Sequence, residues 1–171
     1  VHVKPHPAQP FIDALRNEAP DERIWTSDDD APPESVEAIL AFALRPCIAP
    51  RYPNLRVVCA IGAGVDRLLA AGDIPAAVSV TRVVDDLQTA QVAQYAVACI
   101  VRYTRDFPLY AAQQGASIWK RHAVRPMSAC RVGILGMGKI GCKIADVCHR
   151  LGYPVAGWNR SLRSHAGVPV F

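Results

Sequence analysis

The run Arg131-Val-Gly-Ile-Leu-Gly136-Met-Gly138-Lys-Ile-Gly141 constrains the chain more than any other stretch. A short apolar strand runs straight into G-x-G-x-x-G and on into an amphipathic helix. Each glycine has a steric reason in that order: Gly136 for a tight turn, Gly138 so that backbone can touch a pyrophosphate, and Gly141 so that the helix can lie against its strand. The helix N-terminus then faces the anion. A bare G-x-G-x-x-G also occurs in loops that bind nothing, so the flanks decide. Val132, Ile134 and Leu135 give the continuous apolar run of a strand buried on both faces of a parallel sheet. Ile140, Ile144, Val147, Cys148 and Leu151 recur at helical spacing, Lys139, Lys143 and Arg150 fall on other sides, and Gly152 follows as the stop. A second apolar strand, Pro154-Val-Ala-Gly-Trp158, comes next. This order makes the stretch a dinucleotide fingerprint and sets Gly136, Met137, Gly138, Lys139, Ile140 and Gly141 against the cofactor.

The end of the second strand reads the adenosine ribose. A protein that binds NAD places Asp or Glu there, about 20 residues on, to accept from the 2′-hydroxyl. This chain has Trp158-Asn159-Arg160-Ser161, with Arg163 two residues further. Asn159 stands where the acid would be, so no carboxylate repels a 2′-phosphate, and Arg160 offers a planar cationic fork to bind one. NADP(H) is therefore favoured, with NAD(H) the weaker alternative. The plain reading of the same residues is a basic surface loop.

Charge supports a polyanionic ligand. Residues 1 to 118 carry 10 Lys and Arg against 14 Asp and Glu, a net of −4, whereas residues 119 to 171 carry 9 against 1, a net of +8. Nucleic acid is the competing explanation, but basic residues do not alternate with aromatics and no helix-turn-helix or zinc signature is present. With 51% hydrophobic residues the chain suits one ordinary core or two small ones, and no apolar run approaches membrane-spanning length. Its six cysteines lack a C-x-x-C pair, so they read as reduced core residues of a cytoplasmic protein and not as a disulfide frame or metal site.

Upstream, short apolar runs alternate with helical patterns, as in βαβ folds. Val1 to Val3 reads as the tail of a strand, Phe11 to Glu18 as a helix, Glu22 to Thr26 as extended, and Asp28 to Pro33 as a loop. Ala38 to Leu44 fits helix or strand by periodicity, but its length and the Arg45-Pro46 stop favour a buried strand. Leu55 to Ile61 is a strand that ends in Gly62-Ala-Gly-Val-Asp66, which opens a short helix from Asp66 to Ala71, and Ala77 to Val83 is a further strand. Asp85 or Asp86 caps a long helix beginning near Leu87. Val92, Tyr95, Ala96, Cys99, Ile100 and Tyr103 mark one of its faces and Ala93, Val97 and Val101 another. A helix apolar nearly all round is buried, either in a core or between the subunits of a homodimer. Phe107 to Ile118 reads as another helix, and Trp119 to Ala129 as the linker into the fingerprint.

Three segments in this order, Ala60-Ile-Gly-Ala-Gly-Val-Asp66, Gln91-Val-Ala-Gln-Tyr-Ala-Val97 and Gly133-Ile-Leu-Gly-Met-Gly-Lys-Ile-Gly141, resemble the D-isomer-specific 2-hydroxyacid dehydrogenases. Within that family the Gly-Ala-Gly-Val-Asp loop and the Trp-x-Arg-Ser/Thr turn resemble the bacterial glyoxylate/hydroxypyruvate reductase A type. The similarity runs from about Pro7 to Phe171. It implies an α/β fold: a flavodoxin-like substrate domain over roughly residues 1–98, then the first part of a Rossmann coenzyme domain, a doubly wound parallel sheet, over 99–171, truncated. It also implies that the backbone amides of Ala63 and Gly64 hold the carboxylate of a small 2-oxoacid across a cleft from the coenzyme. The bland alternative is a strand-to-helix turn that needs glycine only for its φ angles. Gln94 departs from the Glu usual at its position, which puts any charge-based role there in doubt.

Reduction of a 2-oxoacid needs a cation on the carboxylate and carbonyl, and an acid for the developing alkoxide. The family supplies Arg, Glu or Asp, and His for this, all after the second coenzyme-domain strand. None is expected among residues 1–171, so no catalytic residue is assigned here and the chain alone is expected to be silent. The expected function is the NADPH-preferring reduction of glyoxylate or hydroxypyruvate. A non-catalytic dinucleotide sensor on the same scaffold and an NAD-dependent D-3-phosphoglycerate dehydrogenase are the alternatives, and Asn159-Arg160 disfavours the latter.

Overall fold

Short apolar runs become parallel strands in both halves of the chain, in a computed structural model that describes residues 1, 3–26, 29–70, 73–161 and 164–171. Two compact units divide at Val84 and Asp85, just before a long helix.

In the first unit, β1 (Ala38–Ala41), β2 (Val57–Ala60) and β3 (Ser79–Thr81) form one sheet in the order β1-β2-β3. Ile39 is paired with Val58, and Val58 with Val80. Alternation sends Ile39, Ala41, Val58 and Ala60 into a core with Tyr52, Leu55 and Leu68, and leaves Leu40, Val57 and Cys59 half covered. Strand wins over helix at 38–44, but ends at Ala41. Helix α1 (Gln9–Glu18) buries Ile12, and α2 (Asp66–Ala70) buries Leu68. The expected last residue of α2, Ala71, and the first of the 28–33 loop, Asp28, lie outside the described residues. Neither Val1 and Val3 nor Glu22–Thr26 joins a strand; the Val1 ammonium donates instead to the Trp25 carbonyl at 2.7 Å. Burial holds that ammonium below its ordinary pKa.

The second unit contains α3 (Asp86–Thr104), α4 (Phe107–Gly115), β4 (Val132–Leu135), α5 (Lys139–Arg150) and β5 (Val155–Trp158). Asp85 is the cap of α3, accepting from the N–H groups of Leu87 and Gln88 at 2.9 and 3.2 Å. Strands β4 and β5 run parallel, and α3 packs on α5 over a core of Ile134, Met137, Ala145, Cys148, Tyr153, Val155 and Val168. A third edge was not foreseen from the sequence. The Gly157 N–H donates to the Pro169 carbonyl at 2.8 Å, and the Phe171 N–H donates back to the Gly157 carbonyl at 3.0 Å.

Two expectations need correction. Helix α3 is not covered all round: Ala93 is buried, with Val97 and Ile100 against the core, yet Tyr95 and Tyr103 are each 74% exposed and Val92 and Cys99 lie open beside them. One face packs on α5, and Tyr95 and Tyr103 stand on the other. Nor are the cysteines generally core residues. All six are free, but only Cys148 is buried, where desolvation pushes its thiol pKa up, while Cys47 and Cys99 are exposed. Among the described residues no helix is long and apolar enough to cross a membrane.

Candidate functional site

Strand β4 delivers the chain to Gly136, whose φ of +100° allows the sharp turn and whose N–H is tied to the Trp158 carbonyl at 2.8 Å. Gly141 then lets α5 press on the turn: a Cβ there would stand 2.0 Å from the Gly136 carbonyl oxygen and 3.3 Å from Cγ2 of Ile134. Met137 is 1% exposed, its side chain filling the space beside Gly157, so only its backbone is left to face a ligand. Gly138 is the N-cap of α5 and no side chain caps the helix. No described atom lies within 4 Å of where a Gly138 Cβ would be. An open approach and uncapped first-turn N–H groups together make a cradle that fits a pyrophosphate.

Lys139 and Ile140 follow as the first two residues of α5, both exposed. Lys139 Nζ lies 3.2 Å from Asp86 Oδ1, but both side chains are largely exposed. Such a pair contributes at most about 1 kcal/mol, so Lys139 can turn to a phosphate at little cost.

At the end of β5, Asn159 is engaged in building the turn. Its N–H donates to the Phe171 carbonyl at 3.0 Å and its Nδ2 to the Ser161 carbonyl at 2.8 Å. Arg160 and Ser161 are exposed, and Arg160 has no ion-pair partner among the described residues. Arg163 lies outside the described residues. Beyond the turn, His165 Nε2 meets Asp146 Oδ1 of α5 at 2.8 Å, a pair with no local sequence signature because its members are 19 residues apart.

In the first unit, Ala63 and Gly64 are exposed in the turn between β2 and α2. The Val83 N–H donates to the Gly62 carbonyl at 3.1 Å, and Arg82 Nη1 to the Ala63 carbonyl at 3.4 Å. In a trans peptide the N–H points opposite to its carbonyl. Arg82 and Val83 therefore turn the N–H groups of Ala63 and Gly64 to the other side, where neither has a partner among the described residues. Neither Gly62 nor Gly64 has a positive φ. The turn does not need glycine for its dihedral angles, and its small residues leave room for an anion to approach the two N–H groups. The sequence pointed to Ala63 and Gly64 but not to the Arg82-Val83 segment that aims them.

The other described histidines have structural partners. His6 stands edge-on to Phe42, His122 Nε2 is 3.1 Å from Gln113 Oε1, and His149 lies beside Gly167.

Residues 97–169 match the model for the NAD binding domain of the D-isomer specific 2-hydroxyacid dehydrogenases. Glyoxylate/hydroxypyruvate reductase A of Salmonella paratyphi B is 29% identical over 171 aligned positions, covering 94% of this chain and 53% of the relative. Among solved structures, a D-isomer specific 2-hydroxyacid dehydrogenase from Xanthobacter autotrophicus Py2, in complex with NADPH and MES, is 31% identical with a TM-score of 0.85 over 99% of this chain and 56% of its own. The NADPH-dependent glyoxylate/hydroxypyruvate reductase of Sinorhizobium meliloti, in complex with NADP and sulfate, is 25% identical with a TM-score of 0.85, over 99% and 54%. The chain thus spans about half the length of the relatives it matches.

Proposed function

We propose that the chain is a D-isomer specific 2-hydroxyacid dehydrogenase, as the match over residues 97–169 and the relatives support, and that it serves NADPH-preferring reduction of small 2-oxoacids such as glyoxylate and hydroxypyruvate. When bound, the dinucleotide supplies the hydride. The residues of this chain hold the reactants: the N-terminus of α5 and Lys139 take the pyrophosphate, Arg160 and Ser161 the 2′-phosphate, with Arg163 beside them in sequence, and the N–H groups of Ala63 and Gly64 the substrate carboxylate. One observation carries the cofactor preference. The position that would bear a ribose-binding acid is Asn159, its amide engaged within the turn, and next to it stands Arg160, a cation with no ion-pair partner among the described residues.

The open stripe of α3 supports a homodimer, and six free cysteines support a cytoplasmic setting. A second reading is a dinucleotide sensor on the same scaffold that performs no chemistry. Assaying glyoxylate and hydroxypyruvate reduction with NADPH and NADH separates the two. Turnover favouring NADPH supports the reductase; tight dinucleotide binding without turnover supports the sensor.

A further inference from the structure

We propose that Asp146 and His165 form a latch that positions the cofactor turn and so sets the preference for a 2′-phosphorylated dinucleotide; this rests on the reading of Arg160 as the 2′-phosphate ligand. The chain leaves β5 at Trp158 and returns to the edge of the same strand, where Val170 bridges to Gly157. Near β5 the intervening loop is closed by Asn159, through Phe171 and Ser161. At the far end the tie is His165, whose Nε2 donates to Asp146 Oδ1 at 2.8 Å. His165 is itself fixed in a turn: the Val168 N–H donates to its carbonyl at 3.1 Å, Gly167 has a φ of +74°, and Val168 is buried in the core. With side-chain exposures of 20% and 47%, the His165–Asp146 contact is partly withdrawn from water, where a hydrogen bond holds better than in an open surface pair.

Charge makes the partnership specific. Asp146 is the single carboxylate among residues 119–171, against nine Lys and Arg. Paired, it takes a donor from His165 and is not left as a bare negative charge on the helix that carries the cradle. Asp146 also stands two turns along α5 from Lys139, about 10 Å at 1.5 Å per residue. One rigid helix therefore carries both the pyrophosphate cradle and the anchor of the 2′-phosphate turn.

The test is titration of NADPH and NADH, by quenching of protein fluorescence, into the wild type and the Asp146→Ala, Asp146→Asn, His165→Ala and Arg160→Ala variants, with melting temperatures measured in parallel. Asp146→Ala and His165→Ala are expected to raise the NADPH Kd about tenfold, the scale of one charge-assisted hydrogen bond, and to leave the NADH Kd within about twofold. Asp146→Asn keeps an acceptor for His165 and is expected to recover most of the loss. A merely structural pair lowers the melting temperature and weakens both dinucleotides alike, which would overturn the latch, as would an unchanged NADPH Kd. Should Asp146→Ala not fold, His165→Ala decides alone. Selective loss of NADPH in Arg160→Ala without it in the latch variants sinks the latch only. No selective loss in Arg160→Ala sinks the reading beneath it, and the latch with it.

Discussion

A side-chain carbon added to Gly141 would stand 2.0 Å from the carbonyl oxygen of Gly136, so α5 and the turn that feeds it are in backbone contact at the cofactor cradle. Neither partner is the movable end of a side chain, and relief requires the helix to shift off β4. Gly141→Ala is therefore expected to cost about 3 kcal/mol or more, at the upper end for overpacking, and to abolish dinucleotide binding. Urea unfolding and an NADPH titration check it; a variant of wild-type stability would show that the contact is not tight.

Arg160→Ala tests the ribose turn. Loss of one or two charge-assisted hydrogen bonds at about 1.5–3 kcal/mol each weakens NADPH roughly ten- to a hundredfold. NADH has no 2′-phosphate and is expected to keep its affinity. Isothermal titration of both decides, and equal losses would remove Arg160 from the phosphate site.

The aim of the Ala63 and Gly64 amides can be challenged without touching the core. A Cβ at Gly64 would meet nothing nearer than Asp66 Oδ2 at 3.8 Å, so Gly64→Ala is expected to change stability by less than about 0.5 kcal/mol. The methyl group occupies the anion's approach, and affinity for oxalate, a 2-oxoacid mimic, is expected to fall about tenfold, or 1.4 kcal/mol. Arg82→Ala frees the Ala63 carbonyl and is expected to do the same. Oxalate binding followed by NMR gives the answer, and unaltered affinity in both variants would release the loop from its assigned role.

Helix α3 offers a chemical probe of association. Cys47 is exposed, Cys99 lies on the open stripe with Tyr95 and Tyr103, and Cys148 is buried with its thiol pKa raised. Alkylation near neutral pH should modify Cys47 readily and Cys148 hardly at all, because the thiolate is the reactive form. A homodimer formed on the stripe protects Cys99 as protein concentration rises, and Tyr95→Glu restores its reactivity. Mass-spectrometric labelling rates are the readout; a Cys99 rate independent of concentration, with a monomeric mass in solution, would dismiss the dimer.

Elements were legible in the sequence where one local pattern sufficed. The fingerprint, α5 and the flanking strands follow from apolar periodicity and glycine sterics, and Asp85 follows from capping chemistry. What stayed hidden depends on partners distant in the chain. The strand expected at Val1–Val3 and the extended run at Glu22–Thr26 meet through the Val1 ammonium and the Trp25 carbonyl, but among the described residues neither enters a ladder, and a strand exists only through its ladder. The return of Pro169–Phe171 to β5 is too short to show alternation. The stripe of α3 is apolar in sequence and open in the fold, since periodicity tells that a face is greasy and not what covers it. At the sites, the glycine loops announced themselves, whereas the side chains that orient them, Arg82 and the His165–Asp146 pair, carry no spacing signature.

The most direct measurement is a side-by-side titration of NADPH and NADH into the wild-type protein under one set of conditions. The account predicts that NADPH binds at least about tenfold more tightly, the equivalent of 1.4 kcal/mol from contacts to the 2′-phosphate. Equal affinities, a preference for NADH, or no binding of either would contradict it.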